Sequence, residues 1–358
     1  MSHDLESVAL TLVADGKGIL AADETVPTLT KRFDTLGIQS TGQSRRTYRE
    51  MLFTSPGAAE FISGVILQDE TIRQRSSDGT PLAQVLSKQG ILPGIKVDTG
   101  AKPLAGFLGE TVTEGLDGLR DRLTGYHGMG ARFAKWRAVI HVTDALPSPA
   151  CVSANTHALA RYAALCQEQN LVPIVEPEVL MDGSHSIERC EEVTGTVLHA
   201  VFNALFEQRV ALECMLLKPN MIISGKECAS QASVGEVATA TLRCLRRHVP
   251  AAVPGVVFLS GGQEDGLASA HLNEINRLPG AKPGSVSPTG APSRITHWRR
   301  GMAGTRTWRP AGRPYTCGPA ATVRPVSGST RTRWRRYRRA LVLRCIAANG
   351  ATTDIIPI

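Results

Sequence analysis

The chain has 358 residues, 42% hydrophobic and 20% charged, which is ordinary globular composition and long enough for one large α/β core. Its formal charge of +8 is gathered at one end: residues 282–358 hold fourteen arginines and one lysine against the single acid Asp354, leaving residues 1–281 at −6. No apolar run approaches membrane length and no basic stretch leads into an apolar core at the N-terminus, so membrane and secreted classes are set aside and the expected place is the cytoplasm. The eight cysteines (Cys151, Cys166, Cys190, Cys214, Cys228, Cys244, Cys317, Cys345) follow no framework or C-x-x-C spacing and read as reduced thiols. The nine histidines are scattered without paired ligand spacing, so neither a metal nor any other cofactor is expected.

In chain order, residues 1–16 form an amphipathic lead-in with Leu5, Val8, Leu12 and Val13 at helical spacing. Seven short apolar runs follow, each ending in polar or charged residues: 18–24, 64–70, 94–98, 133–137, 172–178, 213–218 and 255–262. Runs of that length bounded by breakers are strands. The sixth, Glu213-Cys214-Met215-Leu216-Leu217-Lys218-Pro219-Asn220, delivers one lysine to its far end and stops at proline. Helical patterns lie between the runs. Leu116, Leu119 and Leu123 share a face, and Asn155 is placed to cap a helix carrying Leu159, Tyr162, Ala163 and Cys166. Two longer stripes are Val193, Val197, Ala200, Val201, Leu205 and Val234, Val237, Ala238, Leu242, Leu245, which amphipathic packing explains without a site.

Strands alternating with helices predict a parallel sheet, and strands apolar along their whole length predict burial on both faces. A doubly wound sheet is the rival architecture, but no glycine-rich phosphate loop follows the first strand. The preferred fold is therefore an α/β (β/α)8 TIM barrel, which gathers its chemistry at the C-terminal strand ends. Asp23, Lys96, Asp98, Lys135, Arg137, Glu176, Glu178 and Lys218 then share one mouth. Any one of them is explained by an ion pair lining the rim, and Lys218 alone by a side chain that snorkels to solvent. The set is harder to explain structurally, because burying many charges together is costly. Two neighbouring lysines disfavour each other's protonation and leave a neutral amine able to attack a carbonyl. Nearby glutamates move the protons that carbinolamine formation and dehydration require, and the remaining cations suit an anionic substrate.

The segments Lys17-Gly18-Ile19-Leu20-Ala21-Ala22-Asp23-Glu24, Gly94-Ile95-Lys96-Val97-Asp98, Phe133-Ala134-Lys135-Trp136-Arg137, Val172-Pro173-Ile174-Val175-Glu176-Pro177-Glu178, Leu216-Leu217-Lys218-Pro219-Asn220 and Phe258-Leu259-Ser260-Gly261-Gly262 carry a resemblance to class I fructose-bisphosphate aldolase over residues 10–281, in consistent order and spacing. The resemblance implies reversible, metal-free cleavage of fructose 1,6-bisphosphate into dihydroxyacetone phosphate and glyceraldehyde 3-phosphate through a lysine Schiff base. It further implies Lys218 as the Schiff-base lysine, Glu176 as the acid/base residue of the carbinolamine, Lys135 as the lysine that tunes the first, and Asp23 as the carboxylate that supports carbon–carbon cleavage. Lys96, Arg137, Arg32 and Arg45 match positions linked to substrate oxygens or phosphate, Glu178 joins the substrate-binding set, and Ser260 and Gly261 match a phosphate-binding loop. A sugar bisphosphate partner and a homotetramer are implied as well, with no membrane and no nucleic acid. The enzyme alternatives are another Schiff-base aldolase or transaldolase on a smaller sugar phosphate.

Two departures stand out. Thr25-Val26-Pro27-Thr28 replaces the serine, threonine, glycine, serine of many members, a change that keeps hydroxyl donors. After Asn276-Arg277-Leu278-Pro279-Gly280 the family continues into an eighth strand ending in serine-tyrosine-glycine-arginine, and here no such segment follows. Residues 282–358 instead form a basic, aperiodic tail holding three of the four tryptophans (Trp298, Trp308, Trp334), and the family's terminal tyrosine is absent from Asp354-Ile355-Ile356-Pro357-Ile358. The domain reading is a seven-strand barrel over 1–281 with the eighth strand missing or non-native. Three readings compete for the tail: a nucleic-acid-binding arm on an inactive aldolase-derived chain, a diverged eighth unit, and a change of reading frame. The abrupt break favours the frame change, under which the chain as written is expected to cleave weakly for want of the phosphate-gripping arginine. A frame of the coding DNA that encodes serine-tyrosine-glycine-arginine decides the matter.

Overall fold

A computed structural model describes residues 2–279. The segment on which the eighth strand is expected, and the whole basic tail, lie outside the described residues. Within them the strands are β1 (Gly18–Ala21), β2 (Ile62–Leu67), β3 (Leu92–Lys96), β4 (Gly100–Pro103), β5 (Thr111–Glu114), β6 (Phe133–Ile140), β7 (Val172–Val179) and β8 (Leu216–Leu217). Six of them form one parallel sheet in the order β1-β2-β3-β6-β7-β8, each the hydrogen-bonded neighbour of the next. Parallel neighbours need a crossover, and helices supply it, as the alternating pattern required. The result is a curled sheet with the barrel order of strands.

Side chains alternate across each strand, and the two faces bury two different cores. The outer face packs Leu20, Val65, Ile95, Ala134, Trp136 and Val175 against the surrounding helices. The inner face packs Ile19, Ala21, Ile66, Phe133, Val172, Ile174, Leu216 and Val257 over the first helix, Ser2–Leu12, which contributes Leu5, Ala9 and Leu12. Phe133 fills this floor and is wholly buried. Its room comes from glycine: a Cβ on Gly94 would lie 2.2 Å from the Phe133 ring, and one on Gly64 2.9 Å from it. Two residues further along the inner face the pattern turns from apolar to charged, in the steps Ala21 to Asp23, Phe133 to Lys135, Ile174 to Glu176 and Leu216 to Lys218. The apolar floor thus stands directly beneath the charged mouth.

Three expectations need correction. The run 255–262 does not form a full strand; Val256 makes a single parallel bridge to Leu217, and Val257 N donates to Leu217 O at 2.8 Å. The ladder is thinned, because Pro219 on the neighbouring segment has no N–H to donate and only its O accepts, from Leu259 N at 3.4 Å, and Gly261 and Gly262 then turn the chain with φ of 61° and 92°. Asn155 caps nothing. Its helix runs Pro149–Glu168 and opens at Ser148, whose Oγ accepts from Cys151 N. Asn155 instead sits buried inside that helix, accepting from Thr113 N and donating to Thr111 O. Those partners belong to the third correction, the β4–β5 antiparallel hairpin, where the sequence shows no strand. Its Gly-Ala-Lys-Pro arm is largely exposed and lacks an apolar alternation; the other arm holds the hairpin to β6, with the Thr111 and Thr113 hydroxyls donating to Val139 O and Arg137 O.

Candidate active site

The inner face brings the predicted charges together. Lys218 leaves β8 with its N–H on Val175 O at 2.8 Å, and its Nζ lies 2.6 Å from Glu176 Oε1. The lysine is 7% exposed and the glutamate 2%, so the pair is shut away from bulk water. The other glutamate oxygen, Oε2, lies 3.3 Å from Lys135 Nζ without hydrogen-bond alignment. Lys135 turns its ammonium to Asp23, 2.6 Å away. Glu176 therefore stands between two lysines, and Lys135 between two carboxylates.

This arrangement decides the charge states. Burial pushes Asp23 up, yet the Lys135 charge and hydrogen bond, with Lys218 and Lys96 behind them, hold it below the usual carboxylate value. Burial likewise acts against the Glu176 carboxylate, and Lys135 and Lys218 outweigh it and bring the pKa down. Burial opposes the Lys135 charge too, but Asp23, Glu176 and Asp98 prevail and raise it. The two lysines therefore do not simply repel each other's protons, as their sequence proximity to strand ends suggests: the intervening carboxylates keep Lys135 cationic.

The remaining predicted residues rim this centre. Lys96 Nζ donates to Asp98 Oδ1 and, at 3.0 Å, to Asp98 O; Arg137 donates to Glu178. Ser260 is buried, and a Cβ added to Gly261 would lie 4.0 Å from Glu178 Oε1, so that loop borders the same mouth. A positive φ there suits glycine and lets the backbone itself be the surface a ligand meets. Arg32 pairs with Glu24, beside Asp23, whereas Arg45 makes a two-point ion pair with Glu70, farther round the rim. Among the described residues no group of three or more His, Cys, Asp or Glu is placed to hold a metal ion.

One task and one residue escape a reading by strand ends. Asp98 was placed at the mouth without a task; its carboxylate accepts from Lys96, from Gly100 N at 3.1 Å and from Arg137 N at 3.3 Å, tying β3 to β6. Arg49 is 2% exposed on the helix Gly42–Phe53 and donates to both the carboxylate and the backbone carbonyl of Glu24. An arginine on the same face as Tyr48, Leu52 and Phe53 was the available signal, since a buried arginine requires a partner.

The model of the family "Fructose-bisphosphate aldolase class-I" matches residues 4–289. The chain belongs to the class-I fructose-bisphosphate aldolase family. A protein named "Probable fructose-bisphosphate aldolase class 1" from Xanthomonas axonopodis pv. citri is 59% identical over 276 residues, 77% of this chain and 83% of that one. The cytosolic fructose-bisphosphate aldolase 4 of Arabidopsis thaliana is 50% identical over 286 residues, 80% of this chain and 73% of that one. Among solved structures, the aldolase of Plasmodium falciparum in complex with TRAP and a small-molecule inhibitor superposes with a TM-score of 0.82 at 40% identity, covering 98% of this chain and 95% of that one. The aldolase fold is the TIM barrel, and the family makes the chain a carbon–carbon lyase. No helix among the described residues is long and apolar enough to cross a membrane.

Proposed function

We propose that the chain cleaves fructose 1,6-bisphosphate reversibly through an iminium on Lys218, with Glu176, Lys135 and Asp23 as its catalytic partners. The observation that carries this is the buried Lys218 ammonium 2.6 Å from a glutamate held ionised. Glu176 accepts a proton from Lys218, and the neutral amine adds to the ketone carbon. Glu176 then returns that proton to the carbinolamine hydroxyl, which leaves as water and yields the iminium. The iminium draws the electron pair of the adjacent carbon–carbon bond while Asp23 takes the proton of the hydroxyl beyond it, releasing the aldehyde triose. Lys135, kept cationic, balances the carboxylates as charge moves. Lys96, Arg137, Arg32, Arg45, Ser260 and Gly261 receive the substrate oxygens and phosphates, and Glu178 orients Arg137.

Borohydride added with substrate is expected to lock the adduct on Lys218, found by peptide mapping. Lys218→Arg is expected to trap nothing, because a guanidinium stays protonated. A folded sample that traps on another lysine, or on none, overturns the assignment.

A homotetramer in the cytoplasm completes the proposal. Leu108 is 100% exposed and Phe206 84%, as residues covered by a second copy would be, and the Arabidopsis relatives are named cytosolic. Sedimentation as a monomer at micromolar concentration refutes the oligomer.

A further inference from the structure

The ladder between β7 and β8 ends at Lys218, and a side chain takes the next β7 donor. Asn220 is 5% exposed, and its Oδ1 accepts from Val179 N at 3.1 Å. A backbone carbonyl of a continuing strand would have taken that N–H. The Nδ2 donates to Thr194 Oγ1 at 3.1 Å and to Met221 O at 3.0 Å, with Cys190 Sγ at 3.8 Å. One amide therefore ties the end of β7, which carries Glu176 and Glu178, to the segment carrying Lys218 and to the helix Ile187–Glu207. On the other side Pro219 O accepts from Leu259 N, next to Ser260. The amide cannot be turned over without setting its NH₂ against the Val179 N–H.

We infer that Asn220 is a positioning residue that holds Lys218 against Glu176, with Thr194 as its anchor, so that the proton passes directly between them. This rests on the iminium reading above. The alternative is a core asparagine whose loss weakens the fold and leaves the lysine–glutamate contact as it was. The two differ in pH dependence. With the contact loosened, Lys218 must lose its proton to solvent, so adduct formation depends on external base and climbs steeply with pH. With the contact intact, Glu176 takes the proton directly and the rate follows pH less steeply.

The test measures borohydride trapping rates with fructose 1,6-bisphosphate from about pH 6 to 9.5, alongside thermal unfolding, for the full chain and three variants. Asn220→Ala and Thr194→Val are expected to slow trapping at neutral pH by about ten- to a hundredfold and to recover as the pH rises. Thr194→Ser keeps the acceptor and is expected to behave as the unmodified chain does. Thr194→Val keeps the test open should Asn220→Ala fail to fold. Variants that lose only stability, with the rate per folded molecule and its pH profile unchanged, overturn the inference while the Schiff-base assignment stands. No adduct at Lys218 in the unmodified chain overturns both.

Discussion

Lys135→Met is expected to abolish most activity and to destabilise the fold at neutral pH. Removing the ammonium leaves Asp23 and Glu176 buried without their main counter-charge. Breaking a buried pair by deleting one partner costs about 3–5 kcal/mol. The sign with pH follows from the carboxylates. In the unmodified chain both have depressed pKa values, so their contribution is present above the ordinary values of 3.8 and 4.5 and is lost as the pH falls through the depressed ones. In the variant burial acts on them with less opposition and their pKa values rise. The deficit is then largest at neutral and alkaline pH and shrinks as acid protonates them. Cleavage is expected to fall by about a hundred- to a thousandfold, the scale of losing one preorganised charge at a reacting centre. Urea unfolding at several pH values, with cleavage assays on the same samples, checks both. A stability deficit that does not change with pH shows that Lys135 does not compensate these carboxylates.

Glu176→Gln is expected to slow iminium formation by about a hundred- to ten-thousandfold, the range of a positioned general acid–base group. Glutamine has the same shape and keeps an acceptor for Lys218 but cannot take or return its proton. The adduct should still form, slowly, with a rate that climbs with pH, and substrate binding should be largely kept because the rim cations are untouched. Stopped-flow measurement of adduct formation and a competition assay for binding separate the two. Trapping at the unmodified rate removes Glu176 from the proton path.

The site was legible because a barrel strand spells its position along the axis. Ile174-Val175-Glu176 and Leu216-Leu217-Lys218 pass from apolar floor to charged mouth within three residues, and only a strand end facing a cavity tolerates such a step in a core. Glu176 and Lys218 could therefore be picked out as neighbours from a linear string. Their separation could not, nor could the fact that Lys135 leans to Asp23. Those depend on strand register, which pairs Arg137 with Glu176 and Lys96 with Lys135.

Local chemistry in the chain was enough to determine the alternation of strands and helices, the parallel sheet, the apolar floor and the identity of the charged set, because each follows from short apolar runs closed by charges or breakers, or from helical patterning over a few residues. Only the tertiary structure decided which charges pair. It made Asn155 a brace for the hairpin in place of a helix cap, reduced the run 255–262 to one bridge, and gave Asn220 the Val179 backbone N–H beyond the end of β8. These outcomes depend on partners forty or so residues away in the chain, and a hydrogen bond or ion pair is settled by distances of a few tenths of an ångström that no local pattern encodes.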